Sequence, residues 1–163
     1  MISELGHFAL IMAMAVAFVQ AFAGLVGPWR HNEGLAAMAA PAALLQFALV
    51  SLSFAALSHA FVTSDFSVAN VANNSHSLKP MLYKVSGVWG NHEGSMLMWA
   101  LILALYGGAV AFFGGNLRPS LKVRVLGVQA LIGIGILAFI LFTSNPFERL
   151  NPAPIDGAGL NPL

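Results

Sequence analysis

The run Val125-Leu126-Gly127-Val128-Gln129-Ala130-Leu131-Ile132-Gly133-Ile134-Gly135-Ile136-Leu137-Ala138-Phe139-Ile140-Leu141-Phe142-Thr143 carries no charged side chain. A helix needs about 20 predominantly apolar residues to cross the hydrocarbon core of a bilayer, and this run is of that order. It has no period-2 alternation, which argues against a barrel strand. In lipid the backbone must satisfy its own hydrogen bonds, which leaves a helix. Asn145-Pro146 ends the run. Three further runs read the same way: Leu5 to Val26, Leu44 to Val62 and Ser95 to Phe113. The first holds Gly6, His7 and Gln20 but no formal charge, and Pro28-Trp29 closes it. The second has Pro41 placed for its first turn, where a missing N–H costs nothing. Gly114, Gly115 and Pro119 break the third. The expected fold class is an all-α polytopic membrane protein of about four transmembrane helices, with spans near 5–26, 44–62, 95–113 and 125–143.

Composition agrees. Of 163 residues, 58% are hydrophobic and 8% charged, whereas a soluble domain carries roughly 25% charged residues. A disordered tail is also excluded, since it needs high charge and low hydrophobicity. The net charge is +1 with seven Lys and Arg, too few to make a basic field for nucleic acid. There is no cysteine, which excludes disulfides, thiolate metal sites and covalent CXXCH haem attachment on this chain. Ala21-Phe22-Ala23 mimics a signal-peptide cleavage site. However, Glu4 and no Lys or Arg precede the run, and the run is too long for a signal h-region. The first run is therefore read as a retained helix.

Lys and Arg set orientation, most firmly in short loops. Arg30 follows span one, and Arg118, Lys122 and Arg124 follow span three; Lys79, Lys84 and Arg149 lie on the other side. The two short loops are expected to be cytoplasmic. Both termini and the segment 63–94 are then extracytoplasmic. That segment is too long for a mere connector and is rich in Ser, Asn and Val. The tail from Asn145 to Leu163 carries four prolines and three asparagines and reads as an extended strap.

No nucleotide loop is present: Gly107-Gly108 and Gly114-Gly115 lack the Gly-x-Gly-x-x-Gly spacing. Asp65 and Asp156 are the only aspartates, and nothing in the sequence brings either to a His–Ser pair. Of the five histidines, His31 reads as solvated beside Glu33. His7 and His59, near the outer ends of spans one and two, read as neutral hydrogen-bonded residues, although an ionisable group in a span is a functional hypothesis by default. His76 lies in the turn-like cluster Asn73-Asn74-Ser75-His76-Ser77. His92 belongs to Trp89-Gly90-Asn91-His92-Glu93-Gly94-Ser95, where span three begins. There Trp89 suits an interfacial belt, Asn91 or Ser95 suits an N-cap and Glu93 suits the positive end of the helix dipole. The same cluster could offer a polar rim to a haem or an apoprotein. Met12, Met14, Met96 and Met98 read as packing residues. Gly127, Gly133 and Gly135 suit close helix approach.

The stretch from Val71-Ala72-Asn73-Asn74-Ser75-His76 through Lys79-Pro80-Met81-Leu82-Tyr83-Lys84-Val85-Ser86-Gly87-Val88 into Trp89-Gly90-Asn91-His92-Glu93-Gly94-Ser95 resembles the amino-terminal part of the CcmF family. These are cytochrome c-type biogenesis proteins of the haem lyase complex, within the CcmF/CcsA haem-handling group. Phe142-Thr143-Ser144-Asn145-Pro146-Phe147, and Asp156 through Leu160-Asn161-Pro162-Leu163, resemble the same family further on. The resemblance covers the whole chain in order.

The resemblance implies cytochrome c maturation. Haem is received from the chaperone CcmE and joined to the two CXXCH thiols of an apocytochrome c, on the periplasmic side of the bacterial inner membrane. It implies CcmH, CcmI, the remaining part of CcmF and membrane lipid as partners, no nucleic acid, and a haem b held between membrane histidines of the full-length protein. It marks Trp89, Gly90, Asn91, His92, Glu93, Gly94 and Ser95 as haem- or apocytochrome-proximal, with His76 and His59 as weaker candidates. It carries over no catalytic residue and no metal ligand. The family's Trp-Trp-Asp segment has no counterpart among Trp29, Trp89 and Trp99, and none of the five histidines maps onto a family haem ligand. Family proteins are much longer, so a fragment, a truncated form or a split-gene product is expected, acting as membrane scaffold and rim and inactive alone. A nitrite reductase assembly paralogue shares this region. The alternative class is a small polytopic transporter or channel subunit. It needs polar residues along a path and inverted repeats. Gln20, Gln46, His7, His59 and Gln129 are poor candidates for such a path, and spans one and two do not resemble three and four beyond hydrophobicity.

Overall fold

The structure, a computed structural model, describes residues 1–159; the sequence match over Leu160 to Leu163 lies outside the described residues. It contains the helices α1 (Ile2–Trp29), α2 (Glu33–Ala37), α3 (Ala39–Val62), α4 (Ala69–Asn74), α5 (Met81–Gly87), α6 (His92–Phe113) and α7 (Pro119–Phe142). Among the described residues there is no strand, only a single antiparallel bridge between Val68 and Arg149. The four long helices are long and apolar enough to cross a membrane, and the chain is a multi-pass membrane protein.

The helices start outside the apolar runs. α7 begins at Pro119 rather than Val125, because a proline at the first helical position loses no bond. Its polar first turns include Lys122, whose Nζ donates to the Ala111 carbonyl at the end of α6 (2.7 Å). The segment 63–94 holds two short helices, α4 and α5, that hydropathy does not reveal.

α1 packs on α3 and α7, α3 on α6, and α6 on α7. The result is an up-down-up-down ring of four. Small residues do the packing: Ala9, Ala13, Ala17, Ala23, Ala43 and Ala56 are buried, while Phe8, Phe18, Phe22, Phe112 and Phe142 point outward. That inversion suits lipid, where close backbone approach rather than the hydrophobic effect holds helices together. Larger residues, among them Leu10, Leu57, Phe61, Leu97 and Ile140, fill the axis of the bundle. Two glutamines cross between helices. Gln20 of α1 donates Nε2 to the Leu126 carbonyl of α7 (2.9 Å), and Gln129 of α7 donates to the Leu103 carbonyl of α6. Both bond to backbone carbonyls of neighbouring helices rather than standing free along a path.

Two helix ends share one device. Asp65 N donates to Ala60 O (2.9 Å) and Ser64 N to Phe61 O (3.2 Å), with Ser64 left-handed at φ 55°. Asn32 N donates to Gly27 O (3.0 Å), with His31 left-handed at φ 52°. These are Schellman-type stops, a position that glycine usually fills.

Candidate functional site

One end of the bundle carries the turns 30–38 and 114–118. The other carries a cap made of the segment 63–91 and the tail from Thr143. The motif Trp89 to Ser95 is the joint between cap and bundle. Asn91 caps α6: its Oδ1 accepts from Gly94 N (2.7 Å) while its Nδ2 donates to Gly87 O (2.7 Å) at the end of α5. One side chain therefore closes two helices. A Cβ on Gly94 would fall on the Val88 carbonyl oxygen, so only glycine fits there. Ser95 does not cap; its hydroxyl donates to His92 O (2.9 Å). Glu93 lies in the first turn of α6, where its charge complements the helix dipole. Trp89 and His92 are exposed, and the His92 ring meets Phe139 edge-on, with centroids 6.0 Å apart.

The tail docks on the cap. Ala69 N donates to Glu148 O (2.8 Å), Leu150 N to Ser67 O (2.9 Å) and Ala158 N to Ala72 O (2.7 Å). Phe147 is buried and stacks on His7, with centroids 6.3 Å apart and planes at 16°. Arg149 reaches Glu4, Asp65 and Ser67, and Ser3 Oγ donates to Asp65 (3.3 Å). Burial alone would raise the Asp65 carboxyl, but hydrogen bonds from Ser67 and Ser3 and the Arg149 guanidinium prevail and lower it. The cap thus ties the start of α1, the end of α3 and the tail together.

Contrary to the sequence expectation, the fold does bring an aspartate to a His–Ser pair. Asp156 accepts from the hydroxyl and the N–H of Ser77, and His76 Nε2 lies 3.6 Å from it. The order of contacts is wrong for nucleophilic catalysis. A triad histidine takes the serine proton, whereas here Ser77 bonds directly to the carboxylate and His76 Nδ1 accepts from Leu78 N (3.1 Å). Asp156 is a clasp holding the tail. No local signal could have revealed it, because the partners are 79 positions apart.

The other histidines separate. His59 is exposed on the last turn of α3, and His31 is exposed at the opposite end of the bundle. A resident haem needs an axial ligand presented into an apolar pocket. His76 has both ring nitrogens beside partners, His7 lies beside the Phe147 ring, and His59 and His92 stand exposed. Among the described residues, no group of three or more His, Cys, Asp or Glu side chains could hold a metal. These residues do not fit a haem held by this chain. They leave Trp89 and His92 as an outward-facing rim. A cavity of about 630 Å³ opens instead at the turn end, lined by Pro28, His31, Glu33, Ser120 and Arg124 among others.

No family model matches the sequence. The whole chain is 61% identical to the cytochrome c-type biogenesis protein ccl1 of Rhodobacter capsulatus, covering 25% of that protein. It is 56% identical to the cytochrome c-type biogenesis protein CycK of Rhizobium meliloti, covering 24% of it, and 51% identical to the cytochrome c-type biogenesis protein CcmF of Pseudomonas aeruginosa, covering 25%. It therefore spans about a quarter of the length of the curated relatives it matches. Among solved structures, the cytochrome c haem lyase CcmF superposes with a TM-score of 0.85 at 25% identity, over 91% of this chain and 25% of that one.

Proposed function

Because the chain belongs to the CcmF family of cytochrome c-type biogenesis proteins, whose amino-terminal part it matches, we propose that it serves cytochrome c maturation as the scaffold and rim of a haem lyase. In that role its four helices support the remaining part of a CcmF-type protein. The capped end faces the periplasm and borders the place where haem is joined to the CXXCH thiols of an apocytochrome c. CcmH, CcmI and the haem chaperone CcmE are the partners this role requires. The carrying observation is the match of the whole chain, end to end, to proteins named for cytochrome c biogenesis.

Charge distribution supports the orientation. The turn end bears Arg30, Arg118, Lys122 and Arg124 against Glu33; the capped end bears Lys79, Lys84 and Arg149 against five carboxylates. An excess of Lys and Arg marks the cytoplasmic side. The motif geometry supports the rim role. Asn91 and Gly94 are committed to the joint between α5 and α6, which leaves Trp89 and His92 pointing outward.

The test uses a complete CcmF-type protein carrying this sequence, in a strain lacking its own. Trp89→Ala with His92→Ala is expected to cut holocytochrome c at least several-fold while the protein accumulates in the membrane at normal level. Unchanged holocytochrome c would remove the rim role. Asn91→Ala should lower both yield and accumulation, since losing an N-cap costs about 0.5–2 kcal/mol.

A further inference from the structure

α5 wears its amphipathicity inside out. Leu82 and Val85 lie three apart in α5 and share one face, with Leu78 in the turn before the helix and Trp89 in the turn after it. All four are exposed, at 78%, 76%, 39% and 42%, with Met81 beside them at 55%. The opposite side faces the protein: Gly87 packs on Phe61, with a Cβ there only 3.3 Å from the ring, and Val88 is fully buried. The two lysines of the segment turn inward as well. Lys84 Nζ donates to Ser64 Oγ (2.7 Å) and Lys79 Nζ to Asn74 O (3.1 Å). A helix on a water-facing surface would do the reverse and present its charges outward.

We propose that α5 lies in the interfacial plane of the bilayer, with Leu78, Met81, Leu82 and Val85 in the lipid and Trp89 at headgroup level. Three observations favour lipid over a protein partner. The exposed residues of α5 lie close in sequence to a lipid-facing surface, because Trp89 stands just before α6, which carries the exposed Trp99 and Ile102. Tyr83 and Trp89 are the aromatic types that settle at headgroup level. Removing both ammonium groups from the outer face clears the charge that would resist burial among acyl chains. The helix is short, so its anchorage adds to that of the spans on either side, and it sets the height of the Trp89–Ser95 joint at the membrane surface. This inference rests on the four helices crossing a bilayer and would stand if the maturation role failed.

The chain has no native cysteine, so a single nitroxide can report depth. Leu82→Cys, spin-labelled, is placed in the full chain and reconstituted in vesicles of phosphatidylethanolamine and phosphatidylglycerol. Its relaxation by oxygen relative to a water-soluble nickel chelate should exceed, several-fold, that of a label at Asn116 in the opposite turn. Leu78→Cys, outside the helix and still more exposed, should give the same result if the first label disturbs α5. Preferential relaxation by nickel would put these residues in water. Shielding from both reagents would mean that protein covers them. Either outcome overturns the proposal.

Discussion

Gly24 of α1 and Gly127 of α7 press two helix backbones together. A Cβ on Gly24 would lie 2.6 Å from Gly127 N and 2.8 Å from Val123 O, and one on Gly127 would lie 2.8 Å from Gly24 C. One turn before Gly24, Gln20 donates across the same interface to Leu126 O. The obstructing atoms are mainly backbone, which cannot rotate aside as a side chain can. Small residues of this kind let helices approach closely enough for dispersion and interhelical hydrogen bonds to hold them in lipid.

Gly24→Val or Gly127→Val should therefore force α1 from α7 and destabilise the bundle by about 1–3 kcal/mol, the range for overpacking. Unfolding in mixed micelles with rising dodecyl sulfate measures this. Gly135→Ala is the contrasting change. Nothing lies within 4 Å of a Cβ there, and alanine favours a helix interior by about 0.8–1 kcal/mol over glycine. Gly135→Ala should unfold later than the parent; earlier unfolding would show that glycine is needed at that exposed position for another reason.

His31→Gly is expected to stabilise. His31 ends α1 in the left-handed region at φ 52°, where a side chain costs about 1–2 kcal/mol and glycine nothing. The ring is exposed, so little packing is lost. The same micelle titration should show a later midpoint. A midpoint at or below the parent's would mean that the imidazole makes a compensating contact in the cavity it lines.

The four spans and the start of α6 were legible in the sequence for different reasons. Uncharged runs reveal helices because lipid forbids other backbone solutions. Asn91 and Ser95 were the two cap candidates, and the folded chain separates them: Asn91 reaches Gly94 N, while Ser95 sits a turn too late and bonds to His92 O. α4 and α5 were illegible because one or two turns give no periodicity. The cap was illegible because its contacts join residues far apart: Arg149 hydrogen-bonds Glu4, Ser77 hydrogen-bonds Asp156, and Phe147 packs over Gly6. The aspartate that sequence left isolated, Asp156, became the clasp.

That clasp should loosen in acid. Hydrogen bonds from the Ser77 hydroxyl first, then from the Ser77 and Gly157 amides, push Asp156 down to about 2. An unfolded aspartate titrates near 3.9, so the folded value is depressed. The stabilisation is present above about pH 4 and is lost as pH falls from there toward 2. The protection of the Ala158 and Gly159 amides, which bond to Ala72 O and Ser75 O, against their intrinsic exchange rate should fall across that window. Asp156→Asn should accelerate exchange already at pH 7 and abolish the acid transition. Protection that stays constant down to pH 2 would mean that the tail is held by other contacts.

Phe147 anchors the tail from the inside, and its seat is made by a missing side chain. Gly6 leaves the space: a Cβ there would lie 2.6 Å from Phe147 Cζ and 2.7 Å from Ala56 Cβ. The His7 ring lies nearly parallel and offset beside the Phe147 ring, with centroids 6.3 Å apart, and Asn145 Oδ1 accepts from Phe147 N (3.0 Å), turning the chain inward. Phe147→Ala removes the plug and Gly6→Val fills the seat, so both should release the same tail. Large-to-small changes at a buried phenylalanine cost about 3–5 kcal/mol, enough to expose residues 145–159 to protease while the four helices stay folded. Residues that act through one contact are not additive. The double variant should therefore be cleaved no faster than the worse single variant. Independent, additive effects of Gly6→Val and Phe147→Ala would show that the two residues do not share one contact, and an undisturbed tail in Phe147→Ala would show that the backbone bonds at Ala69, Leu150 and Ala158 suffice to hold it.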